Sequence, residues 1–568
     1  MNKNLSRNVQ TLSGLNFNRS TFDLSFPLLT SFESGKLVPI CVQEVLPGDT
    51  FKMSMNYVLR ELSPVVPVMD NSFIDVFSFY VPNRIIAPYN GDDWEAILGV
   101  NKESYWAPTT EKNVTTFTVN PCSVEPGSLL DYIGIPACKK LVSSDNTAFY
   151  NDIKGINLYP AIAYCMIWDN YFRDENTQTP ICTQKTHNFY TAMVTDDWSV
   201  PLPYNVNKFH DYFTSCLPSP QKGPGVMLSL GDKAPLFTEP TKRYNGMALY
   251  DHTNATMGNT IVNPNSNIQY NSGTEQKLGN LGFPTRDKTD LGNSFADLSV
   301  ATAASINQLR MSFAIQRLLE RDARCGTRYN EYLKGHFGVT APAGLIDIPE
   351  YLGGFRHAVN VTQVLQTSQT SAESPLGNTG AFSNTSSFDN FLFEKSFVEH
   401  GYIIILACVR TAQTYFQGIP KYLTRSKRFD YYHNEFAFIG EQPVYKWQLL
   451  ANAKSLPASK DLGDENAPVF GYQEAWADYR ERYGVINGIL SPNAGSVSFE
   501  PWSYALPMQY GQEPVLNEDF LAQSSKNIAK TLVNTKSTID QFILNVRFNI
   551  TATRELPVVS IPGLMDHM

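Results

Sequence analysis

Residues 542 to 553 alternate almost without a break. Phe542, Leu544, Val546, Phe548, Ile550 and Ala552 fall on one side, Asn545, Arg547, Asn549, Thr551 and Thr553 on the other, and Ile543 alone interrupts the polar side. A strand sends successive side chains to opposite faces, so this stretch must lay one face on a core and the other in water. Phe51, Met53, Met55, Tyr57 and Leu59 alternate in the same way with Lys52, Ser54, Asn56 and Val58. Pro47-Gly48-Asp49 just before them has the residues of a tight turn, and the turn together with the strand predicts a hairpin. Ser72 to Val81 and Gly401 to Val409 are apolar on both faces, as in strands held between two layers. Half-buried and fully buried strands therefore recur over the whole length, separated by long connections. That distribution predicts a mainly β chain, a double-sheet sandwich with large insertions between its strands.

Two insertions read as helical. Leu158 to Asn170 is one. The other runs from an Asp297 cap through Ile306, Leu309 and Phe313, with a second apolar set at Met311, Ile315, Leu318 and Leu319. The two sets fall on roughly opposite sides, which predicts a helix held between two layers. Gly326 is its expected stop, followed by a short helix from Thr327 to Lys334 ended by Gly335. Arg310, Arg317, Arg321, Arg324, Arg328 and Lys334 outnumber Glu320, Asp322 and Glu331 along this pair, although the chain as a whole carries a net charge of −9.

The order of short motifs here resembles a known family. Gln308-Leu309-Arg310, Leu318-Leu319-Glu320-Arg321-Asp322-Ala323-Arg324, Gly326-Thr327-Arg328-Tyr329, His336-Phe337-Gly338-Val339 and Pro349-Glu350-Tyr351-Leu352-Gly353-Gly354 are similar to the central signature of the major capsid proteins of gokushoviruses, small tailless phages of the microvirus family. Val65 to Asn71, Phe79 to Arg84, Ile167 to Asn176, Glu474 to Arg480, Thr553 to Pro557 and Ile561 to Leu564 extend the likeness from about Pro64 to the end of the chain. One stretch departs: where the family carries an aspartate and two arginines, this chain has Ala341-Pro342-Ala343-Gly344-Leu345-Ile346-Asp347-Ile348, so contacts of those arginines do not carry over. The resemblance implies an eight-stranded jelly-roll β-sandwich with long insertions containing helices. It further implies a T=1 icosahedral shell around circular single-stranded DNA, a small basic DNA-associated protein inside and a host surface receptor outside, with a scaffolding protein as an optional partner in assembly.

Composition narrows the alternatives. Only 17% of residues are charged, low for a free-standing surface, so much of the surface is expected to meet partners. The acidic balance restricts nucleic-acid binding to local patches. The eight cysteines contain no C-x-x-C and no short spacing to histidine, and are expected to be buried free thiols with no metal or cofactor. No apolar run exceeds Tyr402 to Val409, too short for membrane insertion, and the N-terminus has no signal-like stretch. Phosphate-loop, zinc-protease, nucleophile-elbow and dinucleotide motifs are absent from the sequence. Cys325 among arginines, with His336 as base, is the best nucleophile candidate, and a small core cysteine beside a glycine is the simpler reading. Asp92-Asp93 and Asp196-Asp197 diverge in extended backbone and make no acid/base couple; a calcium site and solvated loop acids are their two readings. The chain is expected not to be an enzyme.

The domain reading is an N-terminal arm over residues 1–30 and a single capsid domain over 31–568. A polar surface insertion, about 245–296, has nine Asn and six Gly between Asn245 and Ser294 and too few large aliphatics to form its own core. By the family likeness this insertion is a candidate host-recognition protrusion. After the Gly401 strand come basic residues interleaved with aromatics, and Lys421, Arg425, Lys427, Arg428, Tyr431 and Tyr432 are the candidate nucleic-acid contacts. Cations track phosphates while rings stack on unpaired bases. The competing reading is a connection whose arginines meet carboxylates and whose tyrosines pack. At the level of function the alternatives are a β-sandwich adhesin and a cupin-type enzyme, the latter weakened by histidines that nowhere pair at H-x-H spacing.

Overall fold

The computed structural model describes residues 19–62, 64–65, 68–98, 113–119, 124–137, 153–181, 203–226, 236–238, 250–251, 281–282, 294–296, 306–360, 363–365, 379–382, 385–464, 466–492, 499–508, 512–532 and 540–558. The chain divides into two compact units, one of residues 1–220 and 323–568 and one of residues 221–322.

The larger unit is built on nine strands: β1 Ser20–Asp23, β2 Phe26–Phe32, β3 Val38–Val45, β4 Thr50–Glu61, β5 Ser72–Pro82, β6 Glu350–Ala358, β7 Thr385–Ser396, β8 Gly401–Thr411 and β9 Phe542–Arg554. β1 and β2 pair with opposite ends of the same edge of β9, so they act as one interrupted strand. β9 pairs with β4 and β4 with β7, all antiparallel. The second sheet runs β6-β5-β8-β3, also antiparallel. Two layers of four strand positions, with the chain crossing between layers at β2-β3-β4-β5 and β6-β7-β8-β9, make an eight-stranded jelly roll. The turn at Pro47-Gly48-Asp49 is present, with Gly48 at φ 89° and the Asp49 amide donating to Leu46 O at 3.1 Å. It corrects the hairpin expectation, because β3 and β4 lie in different sheets and the turn carries the chain between layers.

Burial follows the two sequence patterns. β4 and β9 bury one face each, and Phe51, Met53, Met55, Tyr57, Leu59 and the Phe542 to Ala552 set meet Ile74, Val76, Ile403, Ile405 and Ala407 of the second sheet. β5 and β8 bury both faces because a second core covers their outer side. There Phe79, Val81, Ile404, Leu406 and Cys408 pack against α1, Tyr159–Tyr171, which is apolar nearly all round. Trp168 fills that core and donates its indole N–H to Asn205 O at 2.9 Å, while Phe172 meets Phe77 edge-on at 5.2 Å, both in packing roles. A third cluster, around Phe213, Val444 and Phe470, holds the insertion between β8 and β9.

The helix pair differs from expectation. α2 is described from Ile306 to Cys325 and ends at Gly326, φ 83°, while the Asp297 cap lies outside the described residues. Met311, Phe313, Ile315 and Leu318 are exposed, 63% and 62% for the first two, which departs from the two-sided burial that the pattern predicts. α3, Tyr329–Phe337, runs through Gly335 and is capped instead by Gly338 at φ 68°. Gly335 serves close packing: a Cβ there would collide with Cys325 Sγ. Cys325 is thus a packing residue, and Cys41, Cys165, Cys216 and Cys408 are buried thiols. The adjacent acids serve structure as well. Asp93 caps residues 94–97, accepting from the Glu95 and Ala96 amides at 3.2 and 3.4 Å, and Asp92 accepts from Thr115 N at 3.1 Å and Tyr159 OH at 2.9 Å. Asp196-Asp197 lies outside the described residues.

Glu61, at the end of β4, has both carboxylate oxygens shut away without a hydrogen-bond partner, and burial pushes its pKa up to about 7 from 4.5. Between those values the unfolded chain has released a proton that the native state keeps. Stability therefore falls as pH rises through this window, and Glu61 contributes nothing below it. Glu61→Gln is expected to match wild type at pH 4 and to be more stable by about 2–3 kcal/mol at pH 8, read from urea denaturation at both pH values.

Candidate nucleic-acid and assembly surfaces

After β8 the chain crosses a short parallel pairing of Thr414–Tyr415 with Gly484–Val485, then folds as three single-turn helices at Lys421–Leu423, Arg428–Asp430 and Asn434–Phe436. The six residues singled out from the sequence divide into two groups here. Arg425 is nearly buried; it forms an ion pair with Asp478, donates to Asp430 O at 3.0 Å and lies over the Tyr479 ring at 4.2 Å. Lys421 stands 4.0 Å from Asp478 and donates to Gln442 Oε1 at 3.3 Å, and burial lowers its pKa. These two hold the insertion together. Lys427, Arg428, Tyr431 and Tyr432 remain exposed, beside exposed Tyr422 and Phe429. Tyr432 also meets Trp476 edge-on at 5.7 Å. Cations and rings free to meet a solvated chain are therefore concentrated at 427–432.

The basic helix pair also satisfies part of its charge internally. Arg328 pairs with Glu175 at 2.5 Å and Glu331 at 3.1 Å, and donates to Asp169 O at 2.8 Å and Arg173 O at 3.0 Å. It thereby fastens the start of α3 to the end of α1. Glu175 accepts from the Thr327 amide and hydroxyl as well. Burial and the neighbouring Glu175 carboxyl both raise the Glu331 pKa. Arg324 is bound to the buried carboxylate of Glu441.

On the outer face of β5, β6 and β8 lies a cleft of about 820 Å³. Its floor includes Phe77, Phe79, Phe172 and Tyr351, and Arg324, Arg356 and Arg410 stand at its sides. Asp75, only 1% exposed, takes Arg356 Nε at 2.5 Å and Arg410 Nε at 2.9 Å. Both guanidiniums also lie over Phe209, at 4.4 and 4.2 Å, and Arg410 donates to Asn207 O at 3.3 Å. Two cations against one carboxylate leave a positive wall at Arg356 and Arg410, while Asp174, Glu175 and Glu331 also line the cleft, beside Arg173 and Arg328. Nearby Lys208 is pushed down to about 8 by burial. The sequence signal for this site was a lone Asp75 in an otherwise apolar strand, and the arginines that answer it come from two distant strands. Among the described residues no cluster of three or more His, Cys, Asp or Glu side chains is placed to hold a metal, and no helix is long and apolar enough to cross a membrane.

Residues 9–564 match the family model described as capsid protein (F protein). The chain is 33% identical over 554 residues to the capsid protein VP1 of Bdellovibrio phage phiMH2K, covering 96% of this chain and 95% of that protein. It is 33% identical over 600 residues to the capsid protein VP1 of Chlamydia phage 1, covering 96% of each. With the capsid protein VP1 of Spiroplasma virus 4 the identity is 32% over 570 residues, covering 96% of this chain and 95% of that protein.

The division of the basic segment gives a direct test. Arg425→Ala, which leaves the half-buried Asp478 with only Lys421 at 4.0 Å, is expected to destabilise the chain by about 2–3 kcal/mol. Arg428→Ala is expected to change stability by no more than about 0.5 kcal/mol. Urea midpoints of the two variants check both values.

Proposed function

The chain belongs to the phage capsid protein (F protein) family, and from that premise we propose that its copies close into a T=1 icosahedral shell enclosing a circular single-stranded DNA genome. The shell forms in the cytoplasm of a bacterial host and becomes the coat of the virion. The observation that carries this reading is an eight-stranded jelly roll that leaves large apolar side chains in solvent when alone, among them Phe438 at 99%, Val398 at 85% and Leu345 at 79%. A subunit whose function is the summed free energy of contacts with its mates needs wide apolar contact areas. The family relation makes the chain a structural protein; the cleft and basic segment are then surfaces for contact, not chemistry.

Within the shell, residues 31–568 act with β1 and β2 as one capsid domain. The arm expected over residues 1–30 shortens to the residues ahead of β1, because Ser20–Asp23 and Phe26–Phe32 pair with β9. That arm reaches a neighbour or the genome. Lys427, Arg428, Tyr431 and Tyr432 face the DNA and make sparse contacts, which suits a net charge of −9. A small basic protein supplies bulk neutralisation, and a scaffolding protein guides closure. The insertion at about 245–296 faces outward toward a host surface receptor.

Sedimentation and negative-stain imaging of the purified chain, with and without candidate scaffolding proteins, test the reading. Uniform closed particles are expected. A monomer or trimer that persists under every condition contradicts it and favours a β-sandwich adhesin. For the DNA face, Arg428→Ala is expected to reduce the salt slope of single-stranded DNA binding by about 0.7, while an unchanged slope removes Arg428 from that face.

A further inference from the structure

The turn at residues 435–439 has the properties of a docking tip. Phe438 is 99% exposed and Ile439 52%, yet their backbone is fixed. Trp476 donates its indole N–H to Phe436 O at 2.9 Å, the Ala475 amide donates to Gly440 O at 3.2 Å, and Phe436 meets Phe429 edge-on at 5.9 Å. An aromatic side chain held in water on a fixed turn loses little conformational freedom when a partner covers it. Glu435, also exposed, adds a carboxylate to the tip.

The cleft over β5, β6 and β8 has the complementary chemistry. Its floor is aromatic, and the Arg356 side chain at its wall remains 50% exposed although it binds Asp75. Its volume of about 820 Å³ holds several side chains. A cationic wall over an aromatic floor fits a carboxylate followed by two large apolar groups.

Tip and cleft are neighbours on one copy. Arg324 lines the cleft and binds Glu441, two residues beyond Ile439. The tip is therefore anchored at the rim of its own cleft and faces solvent. A rotation axis passing between the two places the tip of each copy in the cleft of another, which closes a ring of identical contacts. We propose that the cleft receives the 435–439 turn of a second copy of this chain, with Phe438 and Ile439 on the Phe77, Phe172 and Tyr351 floor and Glu435 against Arg356. The inference rests on the shell reading and names one of its contacts.

The test places the photocrosslinker p-benzoylphenylalanine at position 438, an exposed site whose replacement leaves the core intact. Particles are assembled from a mixture of ¹⁵N-labelled and unlabelled full-length chains, irradiated and analysed by mass spectrometry. Photoproducts are expected to join residue 438 of one isotope to peptides from 205–217 or 349–358 of the other. Photoproducts within single chains only, on other surfaces, or on packaged DNA overturn the inference while leaving the shell reading intact; a wild-type chain that forms no particles contradicts both. In parallel, Glu435→Arg is expected to raise the concentration needed for assembly on the order of tenfold. Arg356 is left intact because it holds Asp75, and an assembly concentration unchanged by Glu435→Arg also overturns the inference.

Discussion

The Asp75 carboxylate is the interaction on which the outer architecture depends. It projects from β5 on the side away from the inter-sheet core and is 1% exposed. Arg356 lies directly opposite on β6, and Arg410 comes diagonally from β8. A carboxylate this deep is tolerated only because both guanidiniums reach it, and removing one partner of such a group destabilises by about 3–5 kcal/mol. The same guanidiniums hold Phe209 and Asn207, so three strands and the segment after α1 are fastened at one point. The positive wall of the cleft follows from that arrangement.

The jelly roll itself is secured by a simpler rule. Its two sheets share one apolar core, and the insertion that follows β5 returns α1 to the outer face of β5 and β8. The centre of one sheet, β5 and β8, is thereby buried on both sides, and the other sheet on one. This asymmetry is why β5 and β8 read as continuous apolar runs while β4 and β9 alternate. The long insertions supply the surfaces, and where they carry aromatics outward, at 422–439 and along α2 and α3, a single chain leaves apolar area uncovered.

What could be read from the sequence follows the range of the interactions. β4, β5, β8, β9 and α1 were legible because each is set by its own local pattern of burial. β6 was read only as a family motif, since Gly353, Gly354, Arg356 and His357 break any alternation. Gly354 is there because a Cβ would meet Val76 O, and the register slips between Tyr351 and Gly353. β7 begins with Thr385, Ser386 and Ser387, polar residues of a half-exposed strand whose composition is that of a loop. The basic segment was recognised by composition. That Asp478, far along the chain, withdraws Arg425 and Lys421 from solvent is a long-range fact no local pattern carries. The two-sided helix was legible as a pattern, but Met311, Phe313, Ile315 and Leu318 are exposed.

The most direct measurement is amide hydrogen exchange on Asp75→Asn against wild type. If this carboxylate fastens the insertion to the sheet, peptides from 203–217 and 350–358 lose protection while those of β4 and β9 keep theirs. Unchanged protection at 203–217, or a loss spread evenly over both sheets, contradicts the account.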